Sequence, residues 1–481
     1  MKRSLVLQSR FIRRLGMLAC LALLVSAMPA WAQGGGNVAI TGTVTDSTGA
    51  VVAGARVTVT NKNTAISRAV TTNGTGQFNV SSIPPATYTV SVEAQGFKRF
   101  NQDVSLLADQ IRDMDIHLQV GEASQQVTVE ASSVQVNTVS QELSQVIESA
   151  RVSDLPLNGR NAADLTLLVP GAVSAIASNS GTLQGDTKQV PGAEAIAVNG
   201  ARPDQIGYNL DGANNQDLMS NTNNPFPFPD ALQEFSVQTN SFDAQYGNNA
   251  GAVVNVVTKS GTNQWHGDAF EFVRNKVFNA RNYFADAVDP LKRNQFGVTA
   301  GGPIHKNTSF IFAGWQKTII RSVNNATNAI VPTADNMNGN FSLTNPGKTI
   351  TNPFTHVAYP SNAAIGPIDP VAVNMAKLLP ILPAGSTNGS VTFGTPLQQN
   401  FDEYIARFDQ MFRGQDRLFG RFYLNKYRHG QTYDGKNLLT AGPGSTVTTQ
   451  NWAVGYTWVI SPQLVNTTTI DFVRAASDRG Q

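Results

Sequence analysis

The run Asn451-Trp452-Ala453-Val454-Gly455-Tyr456-Thr457-Trp458-Val459-Ile460 decides the fold. Trp452, Val454, Tyr456, Trp458 and Ile460 alternate with Asn451, Ala453, Gly455, Thr457 and Val459. Successive side chains of a strand point to opposite faces, so this period of two gathers the large apolar residues on one side. Such a face suits contact with lipid, with aromatic residues at girdle positions, while the other face meets a polar interior. The strand predicted over residues 446–460 is longer than the ~5–6 residues usual in soluble sheets.

Working outward, residues 261–481 hold further two-faced runs at 265–275, 295–301, 309–323, 403–412, 417–429 and 464–475, about seven strands in all. Short turns such as Gly302-Pro303-Ile304-His305-Lys306-Asn307, Arg413-Gly414-Gln415-Asp416 and Ser461-Pro462-Gln463 alternate with longer connections, the pattern of an outer-membrane barrel. Residues 324–400, rich in Asn, Pro, Gly, Thr and Ala, read as one long loop, which a barrel accommodates on its outer face and a compact domain does not.

Upstream, Val253–Val257 is a run of valines broken only by Asn255, predicted to be a strand buried on both faces. Residues 162–168 read as a short helix that Pro170-Gly171 ends. Residues 37–121 carry short alternating strands with turn signals between them, about seven in roughly 85 residues, which is the spacing of a sandwich. Its last strand alternates Met114, Ile116, Leu118 and Val120 with Asp113, Asp115, His117 and Gln119, placing His117 on the polar face.

Met1–Ala32 is an export address. A basic start is followed by an apolar stretch at 17–28 and by Ala30-Trp31-Ala32, so cleavage is expected between Ala32 and Gln33. Cleavage there removes Cys20, the only cysteine, and leaves no thiol for a disulfide or a metal. The rest of the chain has no apolar run of the ~18 residues a membrane helix needs, so membrane residence must use strands.

Composition agrees. Of 481 residues only 14% are charged, well below the ~25% of an ordinary soluble domain. There are 43 Asn, 41 Gly and 23 Pro, a turn-rich makeup that argues against helical bundles. The net charge is +2, but Lys2, Arg3, Arg10, Arg13 and Arg14 all lie in the leader; without them 30 basic residues face 33 acidic ones. That excludes a nucleic-acid binder driven by phosphate contacts. No GxSxG, P-loop, zinc spacing or histidine cluster is present, so neither an enzyme nor a cofactor is expected.

Two resemblances follow from the motifs. Gly42-x-Val44-x-Asp46-x-x-Gly49, Gly54-Ala55-x-Val57, Gly76-x-Phe78, Pro84-Pro85-Ala86-x-Tyr88 and Gly96-Phe97 resemble the carboxypeptidase-regulatory-like domain, with Ala86 where a Gly is usual. This resemblance implies a transthyretin-like β-sandwich, also described as a carbohydrate-binding-like fold. Leu155-Pro156-Leu157-Asn158-Gly159-Arg160-Asn161, Val198-Asn199-Gly200-Ala201-Arg202, Tyr208-Asn209-Leu210-Asp211-Gly212 and Pro229-Asp230-Ala231-Leu232-Gln233-Glu234-Phe235 are similar to the plug of Oar-like TonB-dependent receptors. Gly301-Gly302-Pro303-Ile304 and Asp416-Arg417-Leu418-Phe419-Gly420-Arg421 are similar to the barrel of the same family.

The resemblance implies an all-β chain with an α+β plug domain: sandwich at 37–121, TonB box region and plug at 122–260, and the first part of an antiparallel outer-membrane barrel at 261–481. It implies localisation in the cell outer membrane with the N-terminal domain in the periplasm. The implied function is TonB-driven uptake of a solute, with saccharide, peptide and siderophore all open. The partners are the periplasmic TonB protein and outer-membrane lipid. Val127, Thr128, Val129 and Glu130 are similar to the TonB box, which pairs edgewise with a TonB strand; a plain linker strand is the alternative. Arg160, Arg202, Asp211 and Glu234 are candidates for plug–barrel ion pairs, with loop and capping contacts as the alternative. The family's barrel has about twenty-two strands, so a partial barrel is expected here. A competing reading makes the sandwich a carbohydrate- or protein-binding module, with the barrel as its anchor.

Overall fold

The computed structural model describes residues 38–121, 126–129, 142–174 except 156 and 158, 195–242 except 218–220, 244–246, 249–281, 288, 290–461 and 464–479. The leader, the Ala32–Gln33 junction and Glu130 lie outside the described residues. Among the described residues no helix is long and apolar enough to cross a membrane, which says nothing of a barrel.

The sandwich begins with β1 (Val38–Asp46), β2 (Arg56–Asn61), β3 (Ser67–Thr71) and β4 (Gln77–Ile83). It continues with β5 (Ala86–Glu93), β6 (Arg99–Leu106), β7 (Ile111–Asp113) and β8 (Ile116–Leu118). One sheet runs β4-β1-β7, with β8 also on β1; the other runs β3-β2-β5-β6 and is completed by β9 (Gln126–Val129). Alternation in β1, β2 and β5 buries Ile40, Val44, Val57, Val59, Val90 and Val92 between the sheets. Gly42 lets β7 and β8 approach β1: a Cβ there would stand 2.0 Å from the Met114 carbonyl oxygen. The last predicted strand is in fact interrupted. Met114, Ile116 and Leu118 reach the core, whereas Val120 is exposed and only bridges to Phe97.

The central sheet is built from β10 (Leu143–Glu148), β13 (Ile206–Leu210), β14 (Ala213–Asn214), β15 (Leu232–Asn240) and β16 (Ala252–Thr258), in the order β10-β15-β16-β13-β14. β11 (Ala172–Ser174) and β12 (Ile196–Val198) form a separate pair. Every residue of β16 is buried, as a strand covered on both faces requires, and its polar members Asn255 and Thr258 are buried with the valines. Ala162–Leu168 is a 3₁₀ helix, capped by Asn161 Oδ1, which accepts the Ala163 N–H at 3.2 Å.

The third unit is one antiparallel meander of seven strands. They are β17 (His266–Asn275), β18 (Lys292–His305), β19 (Ser309–Ile330), β20 (Ser390–Phe412), β21 (Asp416–His429), β22 (Ser445–Ser461) and β23 (Leu464–Arg479). On β22, Trp452, Val454, Tyr456, Trp458 and Ile460 are exposed, while Asn451 and Ala453 are buried. The inner face is polar: Gln295, Thr299, Gln316, Glu403, Arg407, Arg421 and Asn451 are all buried there. The long connection is shorter than expected. β19 runs to Ile330 and β20 starts at Ser390, paired Ile330↔Ser390, so the loop spans 331–389 rather than 324–400.

Candidate functional site

The inner face of the meander packs on the central sheet, and the contact is centred on Asp211. This residue sits in the tight turn between β13 and β14 at φ +52°, followed by Gly212 at +76°. The turn folds its carboxylate back onto the end of β16: Thr258 donates its N–H to Oδ1 at 2.9 Å and its hydroxyl to Oδ2 at 2.8 Å. From the barrel, Arg407 Nη1 reaches Asp211 Oδ1 at 2.8 Å, and Arg421 Nε lies 2.9 Å from Oδ2. Arg407 also donates to the Thr258 carbonyl at 3.1 Å and pairs through Nε with Asp409 at 2.9 Å. Arg417 closes on Asp409 at 2.6 Å. The side chains of Arg407, Asp211 and Arg421 are 5%, 3% and 0% exposed, so these charges depend on one another in place of water.

Around this cluster the same two surfaces exchange neutral hydrogen bonds. Asn451 donates to Asn214 O at 3.1 Å and to Asn215 Oδ1 at 2.9 Å. Tyr423 donates its hydroxyl to the Phe226 carbonyl at 3.0 Å. An apolar patch of Phe228, Ala231, Phe312, Ile405 and Tyr423 bridges the two units beside it. Further round, Arg293 and Gln295 each donate to the Gly159 carbonyl at 3.0 Å. Gly159 has φ +85°, and a Cβ there would collide with the Arg293 guanidinium.

The sequence candidates fall in different places. Asp211 lies at the centre of the contact. Arg160 pairs with Asp230 inside the central unit and lies over the barrel's Phe272 ring, 4.0 Å from its centroid. Arg202 is exposed and pairs only locally with Asp204. Glu234 bonds to the sandwich: it accepts the N–H of Ala108 at 2.5 Å. Burial pushes its carboxyl up to about 7 against that hydrogen bond, with Glu148 and Asp109 adding to the rise. Val127, Thr128 and Val129 run in β9, parallel to β6, in the register Phe100↔Val127, Asn101↔Thr128 and Gln102↔Val129.

Sequence reading missed Arg407, Arg421 and Asp409. A signal existed for the β20 pair: Glu403, Arg407 and Asp409 share one face of the strand, opposite Tyr404, Ala406 and Phe408, and charge on a lumen face asks for a partner. No group of residues with metal-ligand geometry occurs among the described residues.

Comparison with known proteins agrees with this architecture. Residues 39–119 match the family described as carboxypeptidase regulatory-like domain, and residues 257–481 match the outer membrane beta barrel domain. The two matches define an outer-membrane barrel protein with a regulatory-like sandwich in front. The TonB-dependent transporter Oar of Myxococcus xanthus is 26% identical over 335 residues, 65% of this chain. In domain makeup the chain is similar to the Oar-like TonB-dependent receptors, with a regulatory-like sandwich followed by an outer membrane beta barrel domain. It spans 29% of the length of the Myxococcus protein. Among solved structures, catechol 1,2-dioxygenases from Acinetobacter sp. ADP1 and Pseudomonas arvilla C-1 align with 21% and 18% of the chain, and the chain covers 60% and 54% of theirs. Identities of 13% and 16% and TM-scores of 0.17 and 0.16 carry no argument.

Proposed function

We propose that the chain serves active uptake of a solute across the outer membrane, driven by TonB. On this reading residues 37–121 are a periplasmic sandwich, 122–260 the TonB box region and plug, and 261–481 barrel wall. The observation that carries it is the chemistry of the contact between the central sheet and the wall. An immobile filling would be packed with apolar side chains. Here the centre is a buried ion cluster ringed by Asn, Thr and Tyr hydrogen bonds. Such contacts hold strongly while dry, and a pair at ~4 Å drops to about 1 kcal/mol once water enters. A small displacement that admits water therefore releases the plug, and its withdrawal restores the lock.

The pull would come through β9. A TonB strand added to Val127–Val129 bonds backbone to backbone, so it tolerates a loose sequence. Saccharide, peptide and siderophore all suit the transported solute. The competing binding-module reading needs aromatic side chains displayed on the sandwich, but Phe78, Tyr88 and Phe100 are buried in its core.

The test uses the chain Gln33–Gln481 in detergent and purified periplasmic TonB C-terminal domain as the probe. Thr128→Ala should bind the domain as the parent does. Val127→Pro with Val129→Pro should lose it, because proline removes the donor and fixes φ. Equal binding by all three would reject this segment as the box.

A further inference from the structure

The sandwich reaches the ion cluster by a route that the transport reading does not by itself require. β6, the strand on which β9 lies, runs directly into the loop Leu107–Asp109. That loop is seated on the central sheet by reciprocal bonds. Ala108 gives its N–H to Glu234 at 2.5 Å; Asp109 accepts the Tyr246 hydroxyl at 3.0 Å and Asn255 Nδ2 at 2.8 Å. Asn255 also accepts from Asn209 Nδ2 at 2.8 Å across the β16–β13 pair. Three residues along β16 from Asn255 is Thr258, and two residues on from Asn209, just past the end of β13, is Asp211, and these two residues bond each other and Arg407. One carboxylate from the sandwich therefore tethers β16 directly, and β13 through Asn255, and the ends of these two strands form the lock.

We propose that Asp109 is a positioning residue: by holding Asn255, which in turn accepts from Asn209, it sets the ends of β16 and β13, so undocking the sandwich loosens the Asp211 cluster. The proposal deepens the transport reading, since it supplies a path from β9 to the plug–barrel lock through folded structure, in addition to the covalent chain beyond β9. The physical warrant is a contiguous bonded network whose two ends share the same two strands.

Hydrogen exchange of the chain Gln33–Gln481 in detergent tests it, read on peptides that report the amides of Asp211 and Thr258. The variant is Asp109→Gly, because Asp109 has φ +64°, which glycine adopts without strain. The variant loses the bonds from Tyr246 and Asn255, and exchange at both amides is expected to quicken about tenfold, the effect of losing the one charged hydrogen bond, that of Asn255, which lies on the path to them. Asp109→Asn, which keeps one acceptor oxygen for Asn255, should restore most of the protection. Amides of β2, β5 and β10 should be unchanged. The proposal is overturned if Asp211 and Thr258 stay as protected as in the parent, or if β10 loses protection equally, which would be general loosening. No TonB domain and no solute enter this measurement, so the wiring can fail while the transport reading stands, and the reverse.

Discussion

Asp211→Asn separates charge from shape at the centre of the contact. Asparagine tolerates the left-handed conformation at φ +52°, and its remaining oxygen still accepts the Thr258 N–H, so the turn survives. What disappears is the anion facing Arg407 and Arg421, and the new amide presents N–H groups to guanidinium N–H groups. Removing one partner of a buried pair costs about 3–5 kcal/mol. Arg407 keeps Asp409, and Arg421 keeps the Leu210 carbonyl at 3.2 Å and Asn451 at 2.9 Å, which puts the loss at the lower end. A loss of about 3 kcal/mol in a unit of this size lowers the melting temperature by roughly 6–12 °C. The assay is thermal melting in detergent, followed by proteolysis that reports release of the central unit. Arg421→Gln supplies the second arm of a mutant cycle, and the double variant should be less damaged than the sum by about 1–2 kcal/mol. A single-variant change within ~0.5 kcal/mol, the size of an ordinary surface substitution, or strict additivity in the cycle, would refute the argument that the cluster locks the two units.

Mass spectrometry of the exported protein should find Gln33 at its N-terminus; an intact Met1 or a lipidated Cys20 would contradict the export reading. Glu234 has its folded carboxyl raised from 4.5 to about 7, so the native state holds the proton more tightly than the unfolded chain. Its contribution is therefore most favourable below about 4.5 and is lost as pH rises towards and through about 7, a change on the order of 3 kcal/mol. Melting curves at pH 5 and pH 8 should show this, and Glu234→Gln should flatten it; a parent more stable at pH 8 with no effect of the variant would reverse the assignment. Val454→Arg, on the lipid-facing side of β22, should cost about 2–4 kcal/mol near the bilayer midplane and reduce recovery in the outer membrane, whereas Thr446→Arg, at the end of the strand, should be recovered near the parent level.

The architecture was legible wherever burial writes a period into the chain. Residues 451–460 show it best, because lipid on one side and a polar interior on the other select opposite residue types. The same signal fails in Ser390–Asn400, where Gly394 and Pro396 interrupt the alternation begun by Val391 and Phe393; that stretch reads as loop, yet it pairs with β19 with one irregularity in register. The site was half legible. Asp211 stands in a motif that can be recognised, but its partner Arg407 lies 196 positions away and no local pattern joins them. Arg202 carries the same charge as Arg160 in a similar motif, and it ends exposed beside Asp204. Asp109 left no mark, because a loop aspartate looks the same whether it meets water or another domain.

The span of the Asp211 cluster also sets an order of assembly. Asp211 and Arg407 are 196 residues apart, and Asn451 stands 236 from its partner Asn215. Contacts this distant form only after the intervening chain has collapsed, and loop closure makes them late events in folding. The local hairpins of the meander and the sandwich with its own core can precede them. Until the cluster closes, Arg407 and Arg421 need water around them and cannot face hydrocarbon. The inner wall must therefore stay wet, or meet the central sheet, before the strands settle into the bilayer; a nascent chain held too long between these stages exposes both a charged face and unpaired strand edges, the condition in which chaperoned delivery matters most.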